Sequence, residues 1–181
     1  MIKRLIVVGL AIAVLAWLGG RWMRRRAAPP ASRVTVVDTL SAAGLRAARL
    51  YFAARDGAGL IAEARDLPDR ADLHERVTQL VSELDRGPRG AGIAALPPGT
   101  SVLHVYLDDR GLMTLDLSRA FRERFEGGTT AEYLALASLV RTLAANVPQV
   151  KRVLIVCAGA PLATLGGHLP LDRPLDVSDW P

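Results

Sequence analysis

The chain has 181 residues, half of them hydrophobic and 23% charged, with 23 Lys+Arg against 18 Asp+Glu. That length supports one domain plus an appendage with enough core to fold unaided, and the apolar content excludes a disordered chain. A single Cys excludes a disulfide framework and a cysteine-based zinc site. The net charge of +5 has the sign of a nucleic-acid binder, but its placement argues otherwise. Lys3, Arg4, Arg21, Arg24, Arg25 and Arg26 all precede the first acid, Asp38, and beyond residue 26 there are 17 basic and 18 acidic residues. The body of the chain is therefore electrically balanced. It lacks the cationic surplus that binding a phosphate backbone requires, so no nucleic-acid partner is expected.

The first 26 residues read as a membrane anchor. Leu5 to Gly20 (LIVVGLAIAVLAWLGG) is 16 residues without a charge, roughly 24 Å of helix at the usual rise. A hydrocarbon core is about 30 Å thick. Ile2, Trp22 and Met23 extend the run, Arg21 can snorkel to the interface, and Trp17 and Trp22 suit the headgroup boundary. Residues 5–23 are thus expected to meet lipid. A cleaved signal peptide has the same basic start and apolar run, but here Arg24-Arg25-Arg26 and Pro29-Pro30 stand where a small-x-small cleavage site belongs. A lipid-modified cysteine is also unavailable, since the only Cys is Cys157. The flanking charges alone favour a cytoplasmic C-terminal body.

Residues 27–45 form a linker with a possible extra strand. Ala27–Ser32 (AAPPAS) is a Pro-rich spacer, and Arg33–Leu40 (RVTVVDTL) is β-prone. Ala48–Ala54 and Leu60–Leu67 then read as strands joined at Asp56-Gly57-Ala58-Gly59. Pro68 closes the second strand, and Asp69 is placed to cap a helix. In that helix Leu73, Val77, Leu80, Val81 and Leu84 recur on one face, and Gly87-Pro88 ends it. Gly90–Gly99 is a loop with a Pro-Pro-Gly turn. Val102–Leu107 and Leu112–Leu117 make a second hairpin around Asp108–Gly111. Ser118–Phe125 reads as a helical turn stopped by Gly127-Gly128. Thr129 with Glu132 matches a capping box for a helix reaching about Asn146, with an apolar stripe of Tyr133, Leu136, Ala137, Val140, Leu143 and Ala144. Arg152–Cys157 is the last strand, and Ala158–Pro181 is turn-rich. The order ββ-α-ββ-α-β predicts an α+β two-layer sandwich, with two helices on one face of a mixed sheet.

Ordered local patterns over most of this body resemble the GerMN domain of bacterial envelope proteins. They are Leu80–Pro88 (LVSELDRGP), Ile93–Thr100 (IAALPPGT), Val105–Ser118 (VYLDDRGLMTLDLS), Phe125–Glu132 (FEGGTTAE), Leu134–Leu143, Val150–Val156 and Pro161–Leu175 (PLATLGGHLPLDRPL). The resemblance implies a single copy over residues 46–176, followed by a tail at 177–181. It further implies an extracytoplasmic, non-enzymatic module of the inner-membrane surface, acting through contacts with other envelope proteins or with itself, with a link to sporulation or germination. It marks Asp116, Ser118, Gly127, Gly128, Glu132, Gly166, Gly167 and His168 as structural or contact positions. This module departs from the common layout in having an apolar anchor instead of a lipobox.

The residues themselves argue weakly for catalysis. Asp116 and Ser118 are same-face neighbours at a strand end and are expected to cap the following turn. Gly166-Gly167-His168 lacks the strand-before, helix-after context of a phosphate loop, so the glycines should permit a tight turn with His168 bonded to backbone. His74 and His104 have no metal-ligand spacing. Cys157 is expected to be a buried hydrophobe. Asp108-Asp109 are expected to make a turn, not a calcium site. No cofactor or metal is expected. Besides the contact module, two other functions compete. A ligand or cell-wall-fragment binder would use the Gly90–Gly99 and Leu165–Pro170 loops as a rim, and an envelope hydrolase would use Asp116 or His168.

Overall fold

The computed structural model describes residues 44–180. The expected anchor, the Pro-rich spacer and the β-prone Arg33–Leu40 stretch lie outside these residues. Among the described residues no helix is long and apolar enough to cross a membrane.

Strands β1 (Leu45–Ala53) and β2 (Leu60–Pro68) pair antiparallel from Leu45↔Pro68 to Ala53↔Leu60, around the predicted glycine turn. β3 (Val102–Leu107) and β4 (Leu112–Leu117) form the second hairpin. The Asp108 carboxylate accepts the N–H groups of Arg110 and Leu112 at 3.0 and 2.7 Å, so its role is to close that turn. β5 (Arg152–Cys157) lies parallel to β4, while β6 (Ala160–Pro161) and β7 (Leu175–Asp176) add antiparallel along β5. Three helices complete the fold: α1 (Leu73–Asp85), the short α2 (Ala120–Glu123) and α3 (Thr129–Asn146). A 3-10 turn at Val177–Asp179 follows β7, and Trp180 beyond it is buried, its ring stacked on Tyr133 with centroids 5.1 Å apart.

The architecture is α+β, as expected, but the strands form two sheets where one was predicted. β1 and β2 make a two-stranded sheet, and β3 to β7 make a five-stranded mixed sheet. The reason lies on the free edge of β1. Ser138, Thr142 and Asn146 are spaced by four along α3 and therefore form one polar line on the helix. Ser138 Oγ donates to the Tyr51 carbonyl at 2.5 Å, and Thr142 Oγ1 accepts the Tyr51 N–H at 3.0 Å. Asn146 Oδ1 accepts the Arg49 N–H at 3.0 Å while its Nδ2 donates to the Arg49 carbonyl at 2.8 Å. Ala53 then exchanges backbone bonds with Ile93 at 3.1 and 2.8 Å. Every outward backbone group from Arg49 to Ala53 that a third strand would use is taken, so the edge is closed by a helix. Replacing Asn146 by Ala should lower unfolding free energy by about 1–3 kcal/mol, since it strands both polar groups of Arg49. Chemical denaturation checks this, and unchanged stability would contradict the edge-sealing role.

Two further expectations change. Asp72, not Asp69, caps α1, its carboxylate accepting the Glu75 N–H at 2.9 Å. Asp69 instead bonds through its own N–H to the Gly44 carbonyl, and its carboxylate lies 3.9 and 3.8 Å from Arg46 and Arg76. The predicted stripe on α3 is also too narrow. Leu136, Ala137, Val140 and Leu143 are buried as expected, but so are Leu134, Ala135, Ser138, Leu139, Thr142 and Asn146, while Tyr133 and Ala144 turn outward. The helix packs against β1, β2, α1 and the C-terminal turn at once, and this leaves little of its circumference to solvent.

The main sheet buries Met113, Leu115 and Leu117 of β4 beside Val153 and Ile155 of β5. Alternation sends His104, Tyr106, Thr114 and Asp116 to the other face, where His104 and Tyr106 are exposed.

Candidate functional site: a buried carboxylate beside an open groove

The N-terminal turn of α3 brings together most of the marked positions. Gly128 is the N-cap of α3 and makes no side-chain cap bond, so the Thr129–Glu132 capping box does not form. Glu132 is instead completely buried and bonded to the loop that follows β6. Its Oε1 accepts the N–H groups of Leu165 and Gly166 at 3.0 and 2.8 Å, and Oε2 accepts the N–H of His168 at 2.9 Å. His168 Nδ1 lies 3.1 Å from the same Oε2. The carboxylate thus replaces a backbone partner for a whole loop, and His168 bonds to it instead of to backbone. Burial alone would raise the pKa of Glu132. The converging N–H groups of Gly166, His168, Leu169 and Leu165 outweigh burial and hold the carboxyl below the ordinary glutamate range.

Glycine is needed where this loop meets its neighbours. A Cβ on Gly166 would fall 2.5 Å from the Phe125 ring and 3.2 Å from Glu132 Oε2. A Cβ on Gly127 would fall 2.5 Å from the Ala131 side chain, and its φ of 139° is one that other residues rarely adopt. Gly167 sits in the exposed part of the turn, its N–H bonded to Thr164 Oγ1 at 3.1 Å.

Phe125 joins this cradle to an open groove of about 500 Å³. Ala53 and Ile93–Pro98 line one side, and Glu123–Glu126 with Ala131 and Leu134 line the other. The Gly90–Gly99 loop therefore does form a rim, but Leu165–Pro170 does not: Phe125 stands between that loop and the groove. The groove is mixed in character: Ile93, Leu96, Leu134, Phe125, alanines and prolines supply its apolar wall, while Glu123, Arg124 and Glu126 also line it and much of its surface is polar.

Asp116 and Ser118 lie elsewhere and do not cap α2, whose N-cap Arg119 makes no side-chain cap bond. Asp116 Oδ1 accepts the Gly159 N–H at 3.0 Å, fixing the turn after β5. Ser118 Oγ accepts the Ser101 N–H at 3.1 Å and donates to the Gly99 carbonyl at 3.3 Å, fixing the start of β3. Both hydroxyl and carboxylate are drawn to backbone groups across the sheet end instead of to the helix that follows. Among the described residues no bond joins either residue to His168, which is held by Glu132 instead. Cys157 is buried at the end of β5, and burial pushes its thiol pKa up, as for an inert side chain.

One buried charge was not anticipated. Arg65 of β2 points inward with Leu67, its side chain 2% exposed, and bonds Glu83 Oε2 at 2.6 Å, Glu63 Oε1 at 2.8 Å and the Gly87 carbonyl at 2.7 Å. Its guanidinium also lies over the Phe52 ring at 5.2 Å. The signal was available in the period-two spacing of Glu63, Arg65 and Leu67, which puts a charge on the apolar face of the strand.

The comparisons with known proteins agree with this fold. A family model described as "Germane: Sporulation and spore germination" matches residues 49–163. Among solved structures, the tandem GerMN domains of the sporulation protein GerM from Bacillus subtilis align at TM-score 0.61 and 20% identity, over 75% of this chain and 47% of that one. The chain thus spans about half of that tandem. The first GerMN domain of the same protein aligns at TM-score 0.58 and 21% identity, over 72% of this chain and 97% of that one. A candidate lipoprotein from Clostridium perfringens aligns at TM-score 0.53 and 21% identity, over 75% and 90%. No curated protein matches the chain. Because the family model covers well over half of the chain and the strands and helices it spans are those just described, this protein belongs to the Germane family of sporulation and spore germination.

Proposed function

We propose that the protein is a membrane-tethered, non-enzymatic contact module of the bacterial cell envelope, its domain held outside the inner membrane by residues 5–23. The observation that carries this reading is the open groove beside the Glu132 cradle. Its walls come from two loops tied to the core, on one side through the Ala53–Ile93 bridge and on the other through buried Phe121 and the close approach of Phe125 to Gly166. An open cleft that mixes apolar side chains with charged ones suits an extended protein segment, from another envelope protein or a second copy of this chain. The groups that could do chemistry support the same reading, because Glu132, Asp116 and Ser118 are all bound to backbone. The groove volume also falls within the range of small-molecule sites, and this favours ligand or cell-wall-fragment binding as the second reading.

Fractionation of cells making the full-length chain tests the tether and the compartment together. The protein should sediment with membranes, resist alkaline carbonate, and become protease-sensitive once the outer layers are opened while the cytoplasmic membrane stays intact. Recovery in the soluble fraction, or protection until the cytoplasmic membrane is broken, would overturn the reading.

A further inference from the structure

We propose that Arg49, Tyr51 and Arg141 form a phosphate-binding pocket on the face of the domain carried by β1 and α3. Arg49 and Tyr51 are two apart on β1, so their side chains leave the same face. Arg141 projects from α3, and with Ala144 and Ala145 these residues enclose an open cavity of about 300 Å³. The Arg141 guanidinium is held 5.2 Å from the centre of the Tyr51 ring, within cation–π range, and its Nη1 donates to the Trp180 carbonyl at 3.2 Å. A guanidinium offers five N–H donors. Among the described residues that carbonyl is the only acceptor Arg141 finds, and its Nε–H is buried without one.

Arg49 side-chain nitrogens also meet no acceptor, and neither arginine joins an ion pair among the described residues. Arg65, Arg76 and Arg86, by contrast, each have a carboxylate or carbonyl in place, and what sets Arg141 apart from the domain's unpaired surface arginines is its buried Nε–H and its place over the Tyr51 ring. The pocket therefore combines two positive charges that have no ion pair among the described residues, one of them positioned on an aromatic ring, with space walled by two alanines. Planar forked donors of this kind match the oxygens of a phosphate group, which carries up to two negative charges as a monoester. The phosphate has two possible sources, a soluble ester or the headgroup of an anionic lipid. This inference uses none of the groove residues and stands apart from the contact reading above.

The test uses the full-length chain, with the Tyr51 backbone N–H, which the parent and both variants retain, followed by NMR. One arm, in uncharged maltoside micelles, titrates glycerol phosphate at ionic strength held constant with chloride. The other compares the chain in phosphatidylcholine nanodiscs with and without phosphatidic acid. A saturable shift of the Tyr51 signal is expected in at least one arm: in the first alone it assigns a soluble ester, in the second a headgroup. Arg49→Gln and Arg141→Lys should each weaken binding roughly tenfold, the effect of losing one charge-assisted bond. Arg49→Gln lies at an exposed position, so an unchanged melting temperature certifies its fold. No saturable shift in either arm, or parent-like binding by both variants, would overturn the proposal.

Discussion

Glu132→Gln should destabilise the domain by about 2–4 kcal/mol, because a buried amide cannot accept the several N–H bonds that the carboxylate accepts and turns an N–H pair toward other donors. The side chain is completely buried, so water cannot fill the loss. For a domain of this size the melting temperature should fall by roughly 10 °C. Amide exchange should localise the damage, with the Leu165, Gly166 and His168 N–H groups losing protection before those of β4 and β5. The pH dependence has a fixed sign. The folded-state pKa of Glu132 is depressed by the loop N–H groups that outweigh burial, so its contribution is present above the ordinary glutamate pKa. That contribution is lost as pH falls through the lower folded-state value. The Gln variant should lack this portion of the acid-induced loss. A variant as stable as the parent, with the same acid profile, would show that the loop is held by other means.

Arg65→Ala should be at least as damaging, at about 3–5 kcal/mol, the usual cost of leaving a buried charge without its partner. Glu83 is the group abandoned: its side chain is only 6% exposed, and its remaining partners, Arg86 and Arg89, reach it from solvent. Glu63 is less affected, since the Arg89 and Gly90 N–H groups also hold its carboxylate. Its pKa shows the same balance: burial pushes it up, but the Arg65 bond and those two N–H groups bring it below the glutamate norm. If the cost comes from the orphaned charge and not from lost packing on Phe52, adding Glu83→Leu to Arg65→Ala should recover at least half of it. Equilibrium urea denaturation of the parent, Arg65→Ala and the double variant checks this. A double variant no better than the single one would place the energy in packing instead.

The hairpins, α1 and the last strand were legible because their signals are local. Turn glycines, the Asp108 turn and the apolar spacing of Val77, Leu80, Val81 and Leu84 need no knowledge of distant residues. The split into two sheets was not legible, because it depends on Ser138, Thr142 and Asn146 meeting the edge of β1 some ninety residues away. Spaced by four within an alanine- and leucine-rich helix, they nevertheless form a line that a solvent-exposed polar face would not limit to three residues. Glu132 misled for a similar reason. Three residues after Thr129 it fits a capping box, yet the four N–H groups of the Leu165–Leu169 turn offer a carboxylate more than a single cap bond does. The loop pair expected to frame one pocket fell apart over Phe125, whose ring separates Gly166 from the groove. Nothing in the local pattern announces an aromatic inserted between two loops.

Photocrosslinking in living cells tests the contact function most directly. A photoreactive residue at Ala94, within the groove of the full-length chain, should yield an adduct of defined mass with an envelope protein or a second copy, while the same residue at Asp109, on the far hairpin turn, should yield none. Equal labelling from both positions, or none from Ala94, would contradict the assignment of the groove as the working surface of this protein.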